Sequence, residues 1–129
     1  MSRIILFQIG STETRAALPS GPGADQLWDA LPLECGFSTW GDEIYFDIGF
    51  RLDCDATHET VDLGDVGYWP PGRALCLFYG PTPMSGPGEI RPASAVAVLG
   101  RLEGDPTRLK SARGRRVRVS RVEQSADLL

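Results

Sequence analysis

The sequence predicts a mainly β protein, a closed eight-stranded β-barrel with one or two short helices over its ends. Three observations support this fold class. Apolar and polar residues alternate with a period of two in several runs, which is the pattern of a strand with one buried face. Helical periodicity is confined to short segments. The 15 glycines and 10 prolines keep the strands short, and barrel closure removes the exposed edges that such strands would present.

The N-terminal part of the chain is predicted to form a hairpin followed by a helix. Residues 3–9 and 12–17 are the two strands, and the Gly10-Ser11 pair between them suits a hairpin turn. Residues 23–31 place apolar side chains at helical spacing, and Pro32 ends that segment. We expect this helix to cover one opening of the barrel.

The remaining elements are mostly strands. Residues 42–50 have the strongest alternation, with Ile44 and its even-numbered apolar neighbours on one face. Residues 73–79 are apolar on both faces, which predicts a strand in the middle of the structure. A second short helix is predicted to begin at Pro106, with Asp105 as its cap. The other predicted strands are residues 33–40, 59–66, 94–102 and 114–122.

Size and composition predict one domain over residues 1–129, with a partly disordered C-terminal tail at 119–129. Hydrophobic residues make up 42% and charged residues 23% of the chain, as in ordinary globular proteins. The N-terminal apolar run, residues 4–7, is too short for an export signal or a membrane span. We therefore expect a cytoplasmic protein that has no membrane partner.

Nucleophilic and metal-ligating residues show no catalytic pattern. Cys35, Cys54 and Cys76 stand far apart without a C-x-x-C pair, so reduced thiols are expected and neither a metal site nor a cofactor is predicted. His58 lies in a polar loop, and the chain has no G-x-S-x-G turn. A Ser-His-Asp triad is therefore not indicated.

The charge of the chain is divided between an acidic body and a basic end. Residues 1–100 carry 13 acidic and 5 basic side chains, whereas residues 101–129 carry 4 acidic and 8 basic ones. The basic end suits either phosphate contacts or an edge strand whose arginines face water, and a pI near 4.9 disfavours nucleic acid as a partner. A further interpretation is an assembly role, in which this last strand pairs with a second copy, giving a homodimer, or with a larger enzyme. The arginines concerned are Arg113, Arg115, Arg116, Arg118 and Arg121.

Residues 64–83 specify local shape more tightly than any other part of the chain. A rigid Trp69-Pro70-Pro71-Gly72 turn lies between two strand-like runs, and the segment also carries four aromatic rings. A stiff proline-rich segment, residues 80–92, follows it, and long ordered loops on a rigid scaffold commonly carry binding sites. The sequence supplies shape here rather than an evident nucleophile or base.

With these motifs the chain resembles the small prokaryotic cyclophilin-like proteins, a group long described as a domain of unknown function. The resemblance covers about residues 3–122. It implies the cyclophilin-type barrel of eight mostly antiparallel strands with helices over the ends. The matching pieces are Leu31-Pro32-Leu33, Trp40-Gly41-Asp42-Glu43-Ile44-Tyr45-Phe46, residues 64–83 and residues 94–101.

The resemblance does not extend to the residues that cyclophilins use for prolyl isomerisation. Those enzymes place an arginine and a glutamine on the substrate amide, within an R-x-x-x-x-F-M-x-Q-G run. One register aligns Arg73 with that arginine and puts Pro81 at the glutamine position. The other register aligns the Pro-Gly turn, and it puts Tyr68 at the arginine and Cys76 at the glutamine. Either register loses the glutamine, so the isomerase activity is not implied.

The leading functional hypothesis is a barrel that binds a small molecule or an extended peptide in an aromatic groove without efficient prolyl isomerase activity. The alternative is a weak peptidyl-prolyl isomerase that uses Arg73. No catalytic residue is assigned. The candidate ligand-binding residues are Tyr68, Trp69, Arg73, Phe78, Tyr79, Met84, Arg91, Glu43 and Tyr45.

Several of these candidates also have a purely structural interpretation. Trp69 suits a ring that covers the side of the barrel. Glu43 and Tyr45 project away from the core residues of their strand, and solvent exposure is the favoured expectation for both. Arg91 and Glu89 suit a surface ion pair that holds the proline-rich loop.

Overall fold

The computed structural model describes residues 3–122, which form one nine-stranded antiparallel sheet, one α-helix and two short 3-10 helices. The 3-10 helices are Pro70–Gly72 and Pro106–Ser111. The strands and helix, in chain order, are β1 (Ile4–Ile9), β2 (Thr12–Ala17), α1 (Pro22–Ala30), β3 (Leu33–Gly36), β4 (Ser38–Thr39), β5 (Glu43–Asp47), β6 (Asp65–Trp69), β7 (Ala74–Phe78), β8 (Ala97–Leu102) and β9 (Arg116–Arg121).

The strand order is β3-β9-β1-β2-β8-β6-β7-β5-β4. The two edge strands, β3 and β4, follow one another in the chain with Phe37 alone between them. The Phe37 amide still donates to the Arg115 carbonyl at 3.0 Å, beside β9, and Ser38 then pairs with Tyr45 of β5. The mainly β class is therefore confirmed, but the described residues form an open order of nine strands rather than a closed ladder of eight.

Most predicted elements are present with shifted ends. The hairpin strands match their predicted bounds to within one residue, since β1 begins at Ile4 rather than Arg3. Gly10 turns at φ 60°, where an added Cβ would lie 2.2 Å from the Arg113 carbonyl oxygen. The predicted strand 33–40 is divided into β3 and β4. The prediction for 59–66 is largely wrong: only its last two residues belong to β6, and Val61 makes an isolated bridge to Ile90 instead.

Two apolar clusters lie on opposite faces of the sheet. The inner core includes Phe7, Phe46, Leu75 and Val119, and Leu27 of α1 packs against its end. The outer cluster consists of Val61, Ala74, Cys76, Phe78 and Val96, with Tyr45, Trp69, Ile90 and Val98 packed against it. Because β7 lies between these two clusters, both of its faces are buried, as its continuous apolar sequence predicts.

The chain end and the helices complete the description. Residues 119–121 of the predicted C-terminal tail belong to β9, and residues 123–129 lie outside the described residues. Within residues 3–122, no helix has the length and apolar character that crossing a membrane requires.

Candidate functional site

A cavity of about 300 Å³ opens on the outer face of the sheet, and we call it the outer-face pocket. Strand β5 contributes Glu43 and Tyr45 because alternate residues of a strand share one face. The last residue of β6, Trp69, forms a second wall. The full lining is Trp40, Glu43, Tyr45, Trp69 and Ala93.

The Trp69 ring is held at both ends. Its indole Nε1–H donates to the Ser94 hydroxyl at 2.6 Å. The benzene edge lies over Gly72, where an added Cβ would approach ring atoms to 2.8 Å. The Pro70–Gly72 turn therefore leaves room for the ring, and the ring orientation is fixed before any ligand arrives.

Glu43 is the most unusual polar residue of the pocket. Its side chain is 6% exposed, and its Oε1 atom has no hydrogen-bond partner among the described residues. Burial raises the pKa of the Glu43 carboxyl group to about 7, and an interaction with the Cys76 thiol opposes this rise. Burial and then Glu43 raise the pKa of Cys76 in turn. Glu43 therefore exchanges between neutral and ionised forms near neutral pH.

Three of the candidate aromatic residues lie away from this pocket. Tyr68 is 1% exposed within the inner core, where its hydroxyl oxygen accepts a hydrogen bond from the Leu52 amide at 3.2 Å. Strand alternation points Tyr68 to the face opposite Trp69. Phe78 belongs to the outer cluster and Tyr79 to the inner core, and both are buried. The expected continuous groove is therefore interrupted by packing.

The candidate arginines and the methionine also lie outside the pocket lining. Arg73 pairs with Asp47 at 3.0 Å at the far end of β5. Arg91 pairs with Glu89 through two hydrogen bonds, of 2.8 and 3.3 Å, within the proline-rich loop. Met84 is 53% exposed on the same loop. Of the nine candidates, Glu43, Tyr45 and Trp69 meet in the outer-face pocket.

Two pocket residues, Trp40 and Ala93, were missed by the sequence reasoning, and the exposure expected for Glu43 was wrong. Trp40 precedes β5, and a turn through Gly41, in which the Trp40 amide donates to the Glu43 carbonyl at 2.9 Å, brings it back beside the strand. Its place in the same motif as Glu43 was the available signal. Ala93 reaches the pocket from a segment distant in sequence. Both residues line the same pocket as Glu43, on a face that alternation alone predicts to be exposed to solvent.

A second cavity, of about 460 Å³, lies beside the first turn of α1. Its lining includes Cys54, His58 and Arg101. Arg101 is bound to Asp65 and Asp62 at 3.1 and 3.2 Å, and the His58 ring is exposed. Burial is the main cause that raises the pKa of the Cys54 thiol, which makes it a poor nucleophile. Within residues 3–122 there is no group of three or more His, Cys, Asp or Glu side chains placed to bind a metal ion.

Comparison with known proteins identifies the family. A family model described as "Cyclophilin-like" matches residues 3–120. The chain belongs to the cyclophilin-like family. This cyclophilin-like chain is also similar to a hypothetical protein from Archaeoglobus fulgidus of known solution structure, with 38% identity, a TM-score of 0.78, and coverage of 94% of this chain and 95% of that one. Comparison with curated proteins gave no match.

The isomerase positions of this cyclophilin-like chain can now be located in space. Cys76, which one register aligns with the catalytic glutamine, is 1% exposed beneath the outer face. Pro81, which the other register aligns there, is exposed outside the pocket lining. Arg73 lies with Asp47, so neither register brings an arginine and an amide donor into the outer-face pocket.

Proposed function

We propose that this cyclophilin-like domain binds a small molecule in the outer-face pocket and lacks efficient prolyl isomerase activity. The observation that carries the proposal is the buried, unpartnered Oε1 atom of Glu43 within a pocket walled by three aromatic rings. Burying a carboxyl oxygen without a partner costs free energy. A ligand that supplies the missing hydrogen bond or charge recovers that cost, whereas a purely structural carboxyl group would be expected to have a protein partner.

A small molecule fits this pocket better than an extended peptide. A cavity of about 300 Å³ is at the lower end of the range for small-molecule sites. Peptide grooves require a longer continuous surface, and burial of Tyr68, Phe78 and Tyr79 removes three of the rings that would have lined one. The pre-oriented Trp69 ring also favours a compact, flat-sided ligand that packs against it.

The alternative, a weak prolyl isomerase, rests on Arg73. Lowering a peptide-bond barrier of about 18–20 kcal/mol requires donors aimed at the amide group. Arg73 is half-exposed, engaged by Asp47 and separate from the pocket. We expect a protease-coupled proline-peptide assay to give the uncatalysed rate for the wild type. Acceleration that disappears in Arg73→Ala would support the isomerase instead.

The proposal extends to closure of the sheet. Edge strands β3 and β4 are linked by Phe37 alone, which supports a curved, barrel-like arrangement with the inner core enclosed. In such an arrangement the outer face is where β5, β6 and β7 can present side chains to a ligand. A fold of this kind has a rigid wall behind the pocket.

The direct test is a fragment screen by NMR on the full chain. We expect ligand-induced shifts to cluster at Trp40, Glu43, Tyr45 and Trp69, with the indole N–H of Trp69 as the most convenient reporter. Met84→Ala, an exposed change outside the pocket, is the matched control and should leave binding unaltered. Shifts that cluster at Cys54 beside α1, or a complete absence of hits, would contradict the proposal.

A further inference from the structure

Resting on the proposed function, we infer that the outer-face pocket selects a compact tertiary ammonium ion, held by an aromatic cage and by Glu43 as its counter-ion. The cage consists of Trp40, Tyr45 and Trp69. The ligand class is a small organic amine whose nitrogen carries three alkyl groups and one N–H.

The three rings favour a cation with an alkylated surface. Organic cations bind to the faces of aromatic rings through the negative charge of the π system, and tryptophan binds them best. The pocket has two tryptophans, and Trp69 is fixed by Ser94 and Gly72. Alkyl groups on the nitrogen spread the positive charge over a surface that rings can contact without many hydrogen bonds.

Glu43 determines how many N–H groups the ligand should carry. Its unpartnered Oε1 atom is available to accept a hydrogen bond from a ligand. A primary ammonium brings three N–H donors, and the lining offers few polar acceptors besides Glu43 and the Tyr45 hydroxyl. A tertiary ammonium has a single N–H, and among the described residues Oε1 of Glu43 is the one buried side-chain oxygen or nitrogen without a partner. A quaternary ammonium has the charge but leaves Oε1 without a donor.

The charges around Glu43 leave the pocket available to a cation. The lining contains neither lysine nor arginine. On β7 the titratable group next to Glu43 is the Cys76 thiol. Tyr79 lies just beyond the end of β7. Its pKa is raised mainly by burial and then by the charge of Asp42, while Arg113 lowers it. Asp42 lies before β5, 3.9 Å from Lys110. Further along β5, Tyr45 shares the pocket and Asp47 pairs with Arg73.

Binding of such a cation is linked to the ionisation of Glu43. Burial raises the pKa of this carboxyl group to about 7, so the neutral form predominates at pH 6 and the carboxylate at pH 8. A cation binds the carboxylate more strongly and lowers its pKa. The affinity should therefore increase about tenfold from pH 6 to pH 8, because the ionised fraction increases by about that factor.

The test uses four probes with the full chain, arranged as two isosteric pairs of a cation and a neutral alcohol. N,N-dimethylethanolamine supplies a tertiary ammonium, choline a quaternary one, and 3-methyl-1-butanol and 3,3-dimethyl-1-butanol are their neutral carbon counterparts. Dissociation constants come from NMR titration of the Trp40 and Trp69 indole signals at pH 6 and pH 8. We expect the tertiary amine to bind best at pH 8, choline less tightly, and both alcohols at least tenfold more weakly than their charged partners.

Variants separate this inference from the proposed function. Glu43→Gln should abolish both the preference for the cation and its pH dependence, while Glu89→Gln, a carboxylate change outside the pocket, should preserve them. The pH series on the wild type tests the same point without a substitution. Equal binding of cation and alcohol would overturn the inference and leave the proposed function standing. Failure of these probes and of neutral fragments to bind the pocket would overturn both.

Discussion

The two faces of strands β5, β6 and β7 differ in how completely their polar groups are satisfied. On the inner face, the one large polar side chain, Tyr68, is buried together with a hydrogen bond to the Leu52 amide. On the outer face, Glu43 is nearly as deeply buried but has an unpartnered oxygen. The same three strands therefore have an inner face whose polar side chain is hydrogen-bonded and an outer face on which one buried carboxyl oxygen has no hydrogen-bond partner. The proposed ligand-binding site lies on the outer face.

The pKa of Glu43 makes this contrast measurable. When folding raises the pKa of a carboxyl group, the group's contribution to stability is smallest at high pH, where the folded protein must hold it ionised. By contrast, hydrogen bonds from their partners lower the pKa of the exposed Asp25, Asp47 and Asp105 and of the half-buried Glu89. The surface carboxylates thus follow the usual pattern of acid-sensitive groups, and Glu43 follows the reverse pattern.

The largest expected effect comes from the inner face. Phe46→Ala should lower the free energy of unfolding by about 3–5 kcal/mol, because it leaves a cavity beside Phe7, whose ring packs edge-on at a centroid distance of 6.4 Å. Urea denaturation measures the change. Tyr45→Ala, its neighbour on the outer face, should cost clearly less. Equal losses at the two positions would remove the distinction between the faces.

The second prediction concerns pH and Glu43. Between its unfolded pKa near 4.5 and its folded pKa of about 7, the folded state holds the proton that the unfolded state has lost. The contribution of Glu43 to stability therefore falls as pH rises through this window. Glu43→Gln should match the wild type near pH 4 and exceed it at pH 8 by up to about 3 kcal/mol. Urea denaturation at both pH values measures it, and a variant that is less stable than the wild type at pH 8 would contradict it.

The third prediction tests the contribution of the buried hydrogen bond between Tyr68 and the Leu52 amide on the inner face. Tyr68→Phe removes the hydroxyl that accepts the Leu52 amide, and the amide is left unpaired in a buried place. The loss should be about 1–3 kcal/mol in the free energy of unfolding. Hydrogen exchange at the Leu52 amide should accelerate at the same time. Unchanged stability would mean that water reaches this amide in place of the tyrosine.

The smallest effect is expected at the support of Trp69. Ser94→Ala removes the acceptor of the indole Nε1–H at an exposed position and should cost about 0.5–1 kcal/mol at most. The Trp69 indole NMR signal should broaden because the ring loses one of its two supports. Fragment binding should weaken more than stability does. A sharp, unshifted signal would show that packing over Gly72 is sufficient to fix the ring.

The sequence predicts this fold well wherever a pattern is local. Alternation identifies β5, the Gly10-Ser11 turn identifies the hairpin, and continuous apolar character identifies β7 as buried on both faces. Residues 59–63 resemble a strand, but within them only Val61 pairs, in an isolated bridge to Ile90, and it packs in the outer cluster. Its partner comes from a segment distant in sequence. Local propensity does not contain that information.

The site is predicted less completely for the same reason. Trp69, Glu43 and Tyr45 belong to motifs that stand out in the sequence, and the structure brings them together. Alternation along one strand does not reveal that Glu43 is buried or that Trp40 and Ala93 line the same pocket. Tyr68 is next to Trp69 in the sequence, but adjacent strand residues point to opposite faces, so Tyr68 lies in the inner core instead.

Phe37 limits how far apart the two edge strands of the described sheet, β3 and β4, can lie. The backbone from Gly36 of β3 to Ser38 of β4 spans at most about 7 Å. The adjoining ends of the two edge strands are therefore held close together. Inserting a few glycines at Phe37 would allow the two edge strands to separate further without changing either face of the sheet. The two edge strands that Phe37 joins are only four and two residues long, so they offer a neighbouring chain little backbone for strand pairing.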